Sequence, residues 1–396
     1  MSITLKELYD ESKNKYKLKL LAGSYSIDNV ISWVHFMEDE STINFIRGNE
    51  LIITTGLGSK NTQWLDNLIK GLINRQASGL MVNIGPYISE IPKHTIQLCN
   101  NNNFPLLTIP WEVHLVDIMQ DYCNNIMKAE QNNSNICAAF FNAIFCPDKI
   151  DSYIPDLKQA GYDLNGEFIV ISFELDKSVY EKNNNIRLKN FIMRIENTLN
   201  SFLFKYSIFV QNDEFNIIIN FTNNNGSFDL IKNHLLNRLK DFSSLIHYIG
   251  ISSLVQSISS LHTAYKEACD AKLVSIKNND FMVYYDDIGI DKLLLNITDN
   301  KILNKLYDKY LGAIHDYDKI HNTGYEDILE IYIKNNGSIQ AVSKETYTHR
   351  NTINYRIKKI KDILNSELNN SEEIFNLMLA FHIKDILTMN NDIRKQ

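Results

Sequence analysis

The chain has 396 residues, 44% hydrophobic and 22% charged, with a formal net charge of −7; that suits two to four domains able to bury real cores. No run of eighteen apolar residues occurs, and the opening MSITLKELYDESKNKYK lacks the apolar centre of a secretion signal, so a soluble cytoplasmic protein with no membrane partner is expected. Five scattered cysteines (Cys99, Cys123, Cys137, Cys146, Cys269), none in a C-x-x-C pair, argue against a disulfide framework or a cysteine zinc site and read as small hydrophobes.

Residues 1–112 alternate strand and helix signals. LKLLAG (18–23), WVHFME (33–38), ELIITT (50–55), GLMVNI (79–84) and PLLTIP (105–110) read as strands. TQWLDNLIKGLINRQ (62–76) and IPKHTIQLCNNNN (91–103) read as helices. Such alternation predicts an α/β domain with a parallel sheet, and the near-continuous apolar runs suit strands covered on both faces. Residues 113–146 follow as a connector, one helix or two, apolar at both ends and polar at EQNNSN (130–135).

Residues 147–285 form a second α/β pattern. Strands are expected at EFIVISFEL (167–175), YSIFV (206–210), EFNIIINF (214–221), HYIGIS (247–252) and FMVYY (281–285), with helices at 149–161, 186–202, 229–242 and 257–277. The second and third strands are split by only Gln211, Asn212 and Asp213, which predicts an antiparallel hairpin in a mixed sheet.

Residues 286–396 read as helical throughout, with loops at TDN (298–300), HDYDK (315–319) and NNG (335–337). Thr323-Gly-Tyr-Glu326 has the form of a capping box. Ser338 is expected to cap a short helix over 339–344, and Thr348, after a tight break, a longer one to Leu364. A short helix, a turn and a second helix over 338–364 make a helix-turn-helix pattern.

At 100° per residue, Ile353, Ile357, Ile360 and Leu364 fall on one stripe of the second helix, and Asn351, Tyr355, Lys358 and Asp362 fall opposite. From Gly337 to Leu364 the net charge is +4, which leaves −11 on the remainder. A local basic face on an acidic chain points to one polyanion-binding surface.

GSIQAVSKETYTHRNTINYRIKKIKDIL (337–364) resembles the C-terminal helix-turn-helix of the PucR family of bacterial transcription regulators. The resemblance rests on His349-Arg350-Asn351-Thr352 followed by Arg356-Ile357-Lys358-Lys359-Ile360, with SEEIFNLMLAFHIKDIL (371–387) behind it. WVHFMED (33–39), RGNELIITTGLG (47–58) and IPWEV (109–113) resemble the family's effector domain, and SISSLHTAYKEACDAKLV (257–274) a helix of its GGDEF-like domain. The resemblance implies a ligand-responsive regulator, often an activator of purine or other nitrogen-compound catabolism, that binds double-stranded promoter DNA as a homodimer. The candidate DNA contacts are His349, Arg350, Asn351, Thr352, Tyr355, Arg356, Lys358 and Lys359. Thr346 and Thr348 stand where the family usually has aliphatic residues, which predicts looser packing between the two helices.

Two rival readings are weaker. In a GGDEF-type cyclase the hairpin signature would fall at Gln211-Asn212-Asp213-Glu214-Phe215, but both glycines that admit a nucleotide are replaced, and Asp176 alone does not make a two-metal site. Gly56-Leu57-Gly58-Ser59-Lys60-Asn61 lacks the third glycine of a dinucleotide fingerprint and reads better as a tight turn. No catalysis, cofactor or metal is therefore expected. A small-molecule effector of the first domain would sit beyond the carboxyl ends of its strands, where Glu38, Thr54, Thr55, Gly56, Asn83, Gly85, Trp111 and Glu112 offer polar groups and a flat ring.

Overall fold

The computed structural model describes residues 2–59, 63–176, 185–200, 204–211, 214–221, 237, 239–240 and 243–393. The chain divides into two compact units, Met1–Cys269 and Asp270–Gln396.

The first sheet holds β1 (Lys19–Ala22), β2 (Trp33–Phe36), β3 (Glu50–Thr54), β4 (Gly79–Ile84) and β5 (Leu106–Pro110) in the order β1-β5-β4-β3-β2. β2 to β5 run parallel, as the alternating pattern predicts. β1 departs from that expectation: it joins the edge antiparallel, pairing Lys19 with Thr108. Every residue of β3 is buried, whereas the edge strand β2 buries only Val34. One face is covered by α2 (Trp64–Asn74) and α3 (Lys93–Asn101) through Leu65, Leu68, Leu72 and Cys99.

The other face is covered by a helix that the polar start of the sequence concealed, α1 (Leu5–Ser12). Thr4 and Glu7 form a reciprocal capping box there, and Leu5 and Leu8 are fully buried. The connector resolves into one helix of 31 residues, α4 (Leu115–Phe145). Its Ile118, Tyr122 and Ile126 enter the first core beside Leu5 and Leu8, and its Ala139, Phe140, Ala143 and Ile144 enter a second core. None of the residues from Met127 to Ala138 is buried.

That second core lies against β6 (Glu167–Leu175), β7 (Lys205–Gln211), β8 (Glu214–Phe221) and β9 (Ile246–Ile251), side by side as β9-β6-β8-β7. β7 and β8 form the antiparallel hairpin expected from their spacing, with Gln211 opposite Glu214. α5 (Ile154–Gln159) and α7 (Leu261–Asn278) pack on one face; α6 (Asn185–Leu199) sets the Phe191 ring against Phe173 and Phe215 on the other. The helix expected over 229–242 lies outside the described residues apart from three positions.

The second unit continues with β10 (Met282–Tyr284), α8 (Asp291–Leu295), α9 (Asn300–His321), α10 (Tyr325–Lys334), α11 (Ile339–Glu345), α12 (Arg350–Leu364) and α13 (Ser371–Ile393). Two local expectations are overturned. HDYDK (315–319) is not a loop but the last turns of α9, because Leu311 and Ile314 carry the apolar stripe that far and the polar residues occupy the opposite side. Thr323 does not cap α10. Asp318 does, accepting the Tyr325 and Glu326 amides at 2.9 and 2.8 Å and the Thr323 hydroxyl at 2.5 Å.

Candidate nucleic-acid interface

The basic segment folds as two helices because each local signal agrees with the core beneath it. Asn336 and Gly337, both at positive φ, end α10. Ser338 then accepts the Ala341 amide at 3.3 Å and starts α11. α12 is capped by His349, whose Nδ1 accepts the Asn351 amide at 3.2 Å, and not by Thr348 as expected. The Thr348 hydroxyl donates instead to the Thr346 carbonyl, so it stabilises the turn rather than the helix. At its far end α12 stops at Asn365, a residue type that tolerates the left-handed conformation found there.

Ile353, Ile357 and Ile360 are buried with Val342 of α11, Leu329 and Ile333 of α10, and Leu311 and Ile314 of α9. This apolar seam fixes the rotation of α12, which leaves His349, Arg350, Asn351, Thr352, Tyr355 and Lys358 exposed and Arg356 and Lys359 half-buried at the flanks. Among the described residues, Arg350, Arg356, Lys358 and Lys359 form no ion pair, whereas Lys361 is paired with Glu367 at 3.3 Å. These four cations, unpaired among the described residues, lie on or beside the outward side of α12. Asn351 and Arg350, exposed in the first turn, are the residue types whose side chains can pair with adenine and guanine edges respectively. Thr346 and Thr348 are half-buried in the turn with both hydroxyls hydrogen-bonded. Tyr347, between them, escapes helical periodicity because it lies in the turn, and the sequence offers no signal for it.

In the first unit the strand ends gather the eight candidate effector residues into two groups. Glu38 accepts the Thr55 amide at 2.7 Å, the Thr55 hydroxyl at 2.6 Å, the Leu57 amide at 2.9 Å and the Thr54 hydroxyl at 3.2 Å, and the Gly56 amide donates to Thr54 Oγ1. That carboxylate therefore holds the turn after β3. Gly56 takes φ +78°, and a Cβ on Gly58 would lie 1.9 Å from the Glu38 carbonyl oxygen, so the two glycines serve a tight turn. Lys60 and Asn61 lie outside the described residues. In the second group Asn83 donates to the Pro110 carbonyl at 2.9 Å, and the Trp111 ring lies against Gly85, edge-on to Tyr87. Trp111 and Glu112 are exposed.

In the second sheet, Asp176 is paired with His247 at 2.9 Å, and Gln211 ends β7; Asn212 and Asp213 lie outside the described residues. Among the described residues no helix is long and apolar enough to cross a membrane.

Comparison with known proteins matches three parts of the chain. Residues 7–126 match the profile of the purine catabolism regulatory protein-like family, residues 153–272 that of a GGDEF-like domain, and residues 325–383 that of the PucR C-terminal helix-turn-helix domain. The chain is 21% identical to the purine catabolism regulatory protein of Bacillus subtilis (strain 168), in an alignment spanning 93% of this chain and 97% of that protein. From the same organism, the DNA-binding transcriptional activator AdeR is 24% identical over 34% of this chain and 33% of its own. The proline-responsive transcriptional activator PutR is 29% identical over 31% of this chain and 30% of its own.

Proposed function

Because the chain is a PucR-family DNA-binding transcriptional regulator, with a PucR N-terminal domain, a GGDEF-like domain and a PucR C-terminal helix-turn-helix, we propose that it is a ligand-responsive activator acting as a homodimer on promoters of metabolic genes. The observation that carries the DNA contact is the isoleucine-seated face of α12, where Arg350, Asn351 and Lys358 stand exposed with no ion pair among the described residues. In this reading Arg350 and Asn351 face base edges, and Lys358 and Lys359 lie along phosphates. A nitrogenous metabolite at the strand ends of the first domain supplies the signal. The similarity to purine and proline regulators supports that class of effector. Because Glu38 is committed to the turn after β3, it acts as a support there, and Trp111 and Glu112 are the open groups. The GGDEF-like domain serves as a scaffold rather than an enzyme, since Gln211 stands where the cyclase hairpin has glycine.

The test is gel retardation of the promoter regions beside the protein's own gene across a range of salt. Asn351→Ala is expected to relax base preference. Lys358→Ala is expected to weaken every fragment alike and lower the salt slope by about one for each bound copy. Identical behaviour of the two variants would refute this division of roles.

A further inference from the structure

Tyr347 occupies the turn between α11 and α12 with φ +51°. Ten described non-glycine residues take positive φ, and six of them are asparagine, which tolerates that conformation. Leu368 is the other bulky apolar case, and it is only 7% exposed, so burial in the core beneath α12 offsets its backbone. Tyr347 has no such compensation: it is 97% exposed. The surrounding turn holds it there. The Thr346 amide and hydroxyl both donate to the Val342 carbonyl, at 2.9 and 2.8 Å. The Thr348 amide donates to the Ser343 carbonyl at 3.1 Å, the Ser343 hydroxyl to the Thr348 carbonyl at 2.6 Å, and the Thr348 hydroxyl to the Thr346 carbonyl at 3.0 Å. Glycine would fit this position without strain, yet the chain places an aromatic phenol there, exposed on a turn whose backbone is held by these bonds.

A strained residue that contributes no packing to its own fold points to a contact outside it. We propose that Tyr347 is a DNA-backbone contact, its hydroxyl donating to a phosphate oxygen at the edge of the groove entered by α12. This rests on the DNA-binding reading above and adds a residue outside the recognition helix. DNA is favoured over a protein partner because Tyr347 lies three residues before Arg350, on the margin of the cationic face. The two threonines that break the family pattern then have a role: their hydroxyls brace the backbone of the turn that carries the tyrosine.

The experiment compares the full-length protein with Tyr347→Gly, Tyr347→Phe and, as reference, Lys358→Ala, in retardation of a promoter fragment and an unrelated duplex. Tyr347→Gly is expected to lose about tenfold in affinity for both duplexes, the scale of a hydrogen bond to a charged acceptor. The salt slope should stay unchanged, because a phenol displaces no counterion. Tyr347→Phe is expected to lose most of that affinity despite keeping the ring. Hydrogen exchange across residues 325–383 should be slower in Tyr347→Gly, because the backbone strain is relieved, so lost binding would not reflect lost folding. Wild-type affinity in Tyr347→Gly, with Lys358→Ala still impaired, would overturn the inference and leave the DNA-binding reading standing. So would unchanged affinity with reduced transcription, which would assign Tyr347 to a protein partner. Failure of the wild type to retard either duplex would overturn both.

Discussion

The Asp318 carboxylate satisfies two amides at the start of α10 and anchors the Thr323 hydroxyl. Asp318→Ala is expected to destabilise the C-terminal unit by about 1–2 kcal/mol, the usual cost of losing a cap, read from its denaturant midpoint. A second carboxylate contributes to the acid sensitivity of the same unit. Burial opposes ionisation of Asp291, but the hydrogen bond with His382 at 2.9 Å and the charge of Lys277 at 3.3 Å outweigh it, and the Asp291 carboxyl lies below the usual range. A folded pKa depressed in this way contributes stability that is present above the unfolded pKa and lost as the pH falls through the folded value. The unit should therefore lose stability below about pH 4, and Asp291→Asn should flatten that part of the profile. Neither carboxylate was legible in the sequence. Asp318 lies in a polar run that reads as a loop, and Asp291 meets Lys277 and His382 only through tertiary folding. His349 was legible as an exposed residue but not as the cap, because Thr348 beside it is the stronger capping type.

At the scale of single elements, α12 is where sequence and structure agree most closely. Its stripe of isoleucines has helical spacing, so its buried side and its outward side follow from the order of residues alone. Ile357→Ala should destabilise the module by roughly 2–4 kcal/mol and abolish retardation through loss of the seat rather than of any contact. The connector α4 was legible as a helix, but only the fold reveals its division between two cores. Between Ile126 and Ala139 it buries no residue, so its continuity there rests on backbone hydrogen bonds. Asn132→Pro, which removes one such bond and crowds another, should leave both cores folded and DNA affinity intact while abolishing any effect of effector on it. Retained effector response in that variant would exclude α4 as the route of the signal. α1 was hidden because its polar residues mask two buried leucines, although Thr4 and Glu7 carry the capping-box pattern.

For the whole molecule, a chain of net charge −7 binds a polyanion only if the contact is confined to a cationic face. Two such faces in one dimer would multiply the contacts of each. The succession of strands and helices, the hairpin and the helical C-terminal part were readable from patterning, whereas the antiparallel edge strand β1 was not. The commitment of Glu38 to a turn was not, because hydrogen-bond partners 16 to 19 residues away leave no periodic trace. The most direct test of the account is hydroxyl-radical footprinting of the protein, free and bound to a promoter fragment, with modification read at each tyrosine and histidine. Tyr355, 67% exposed in the free chain, and His349 should be protected in the complex, while Tyr25 in the first unit, 90% exposed, should not. Unchanged modification of Tyr355 and His349 in a complex that is demonstrably retarded would contradict the claim that α12 meets the duplex.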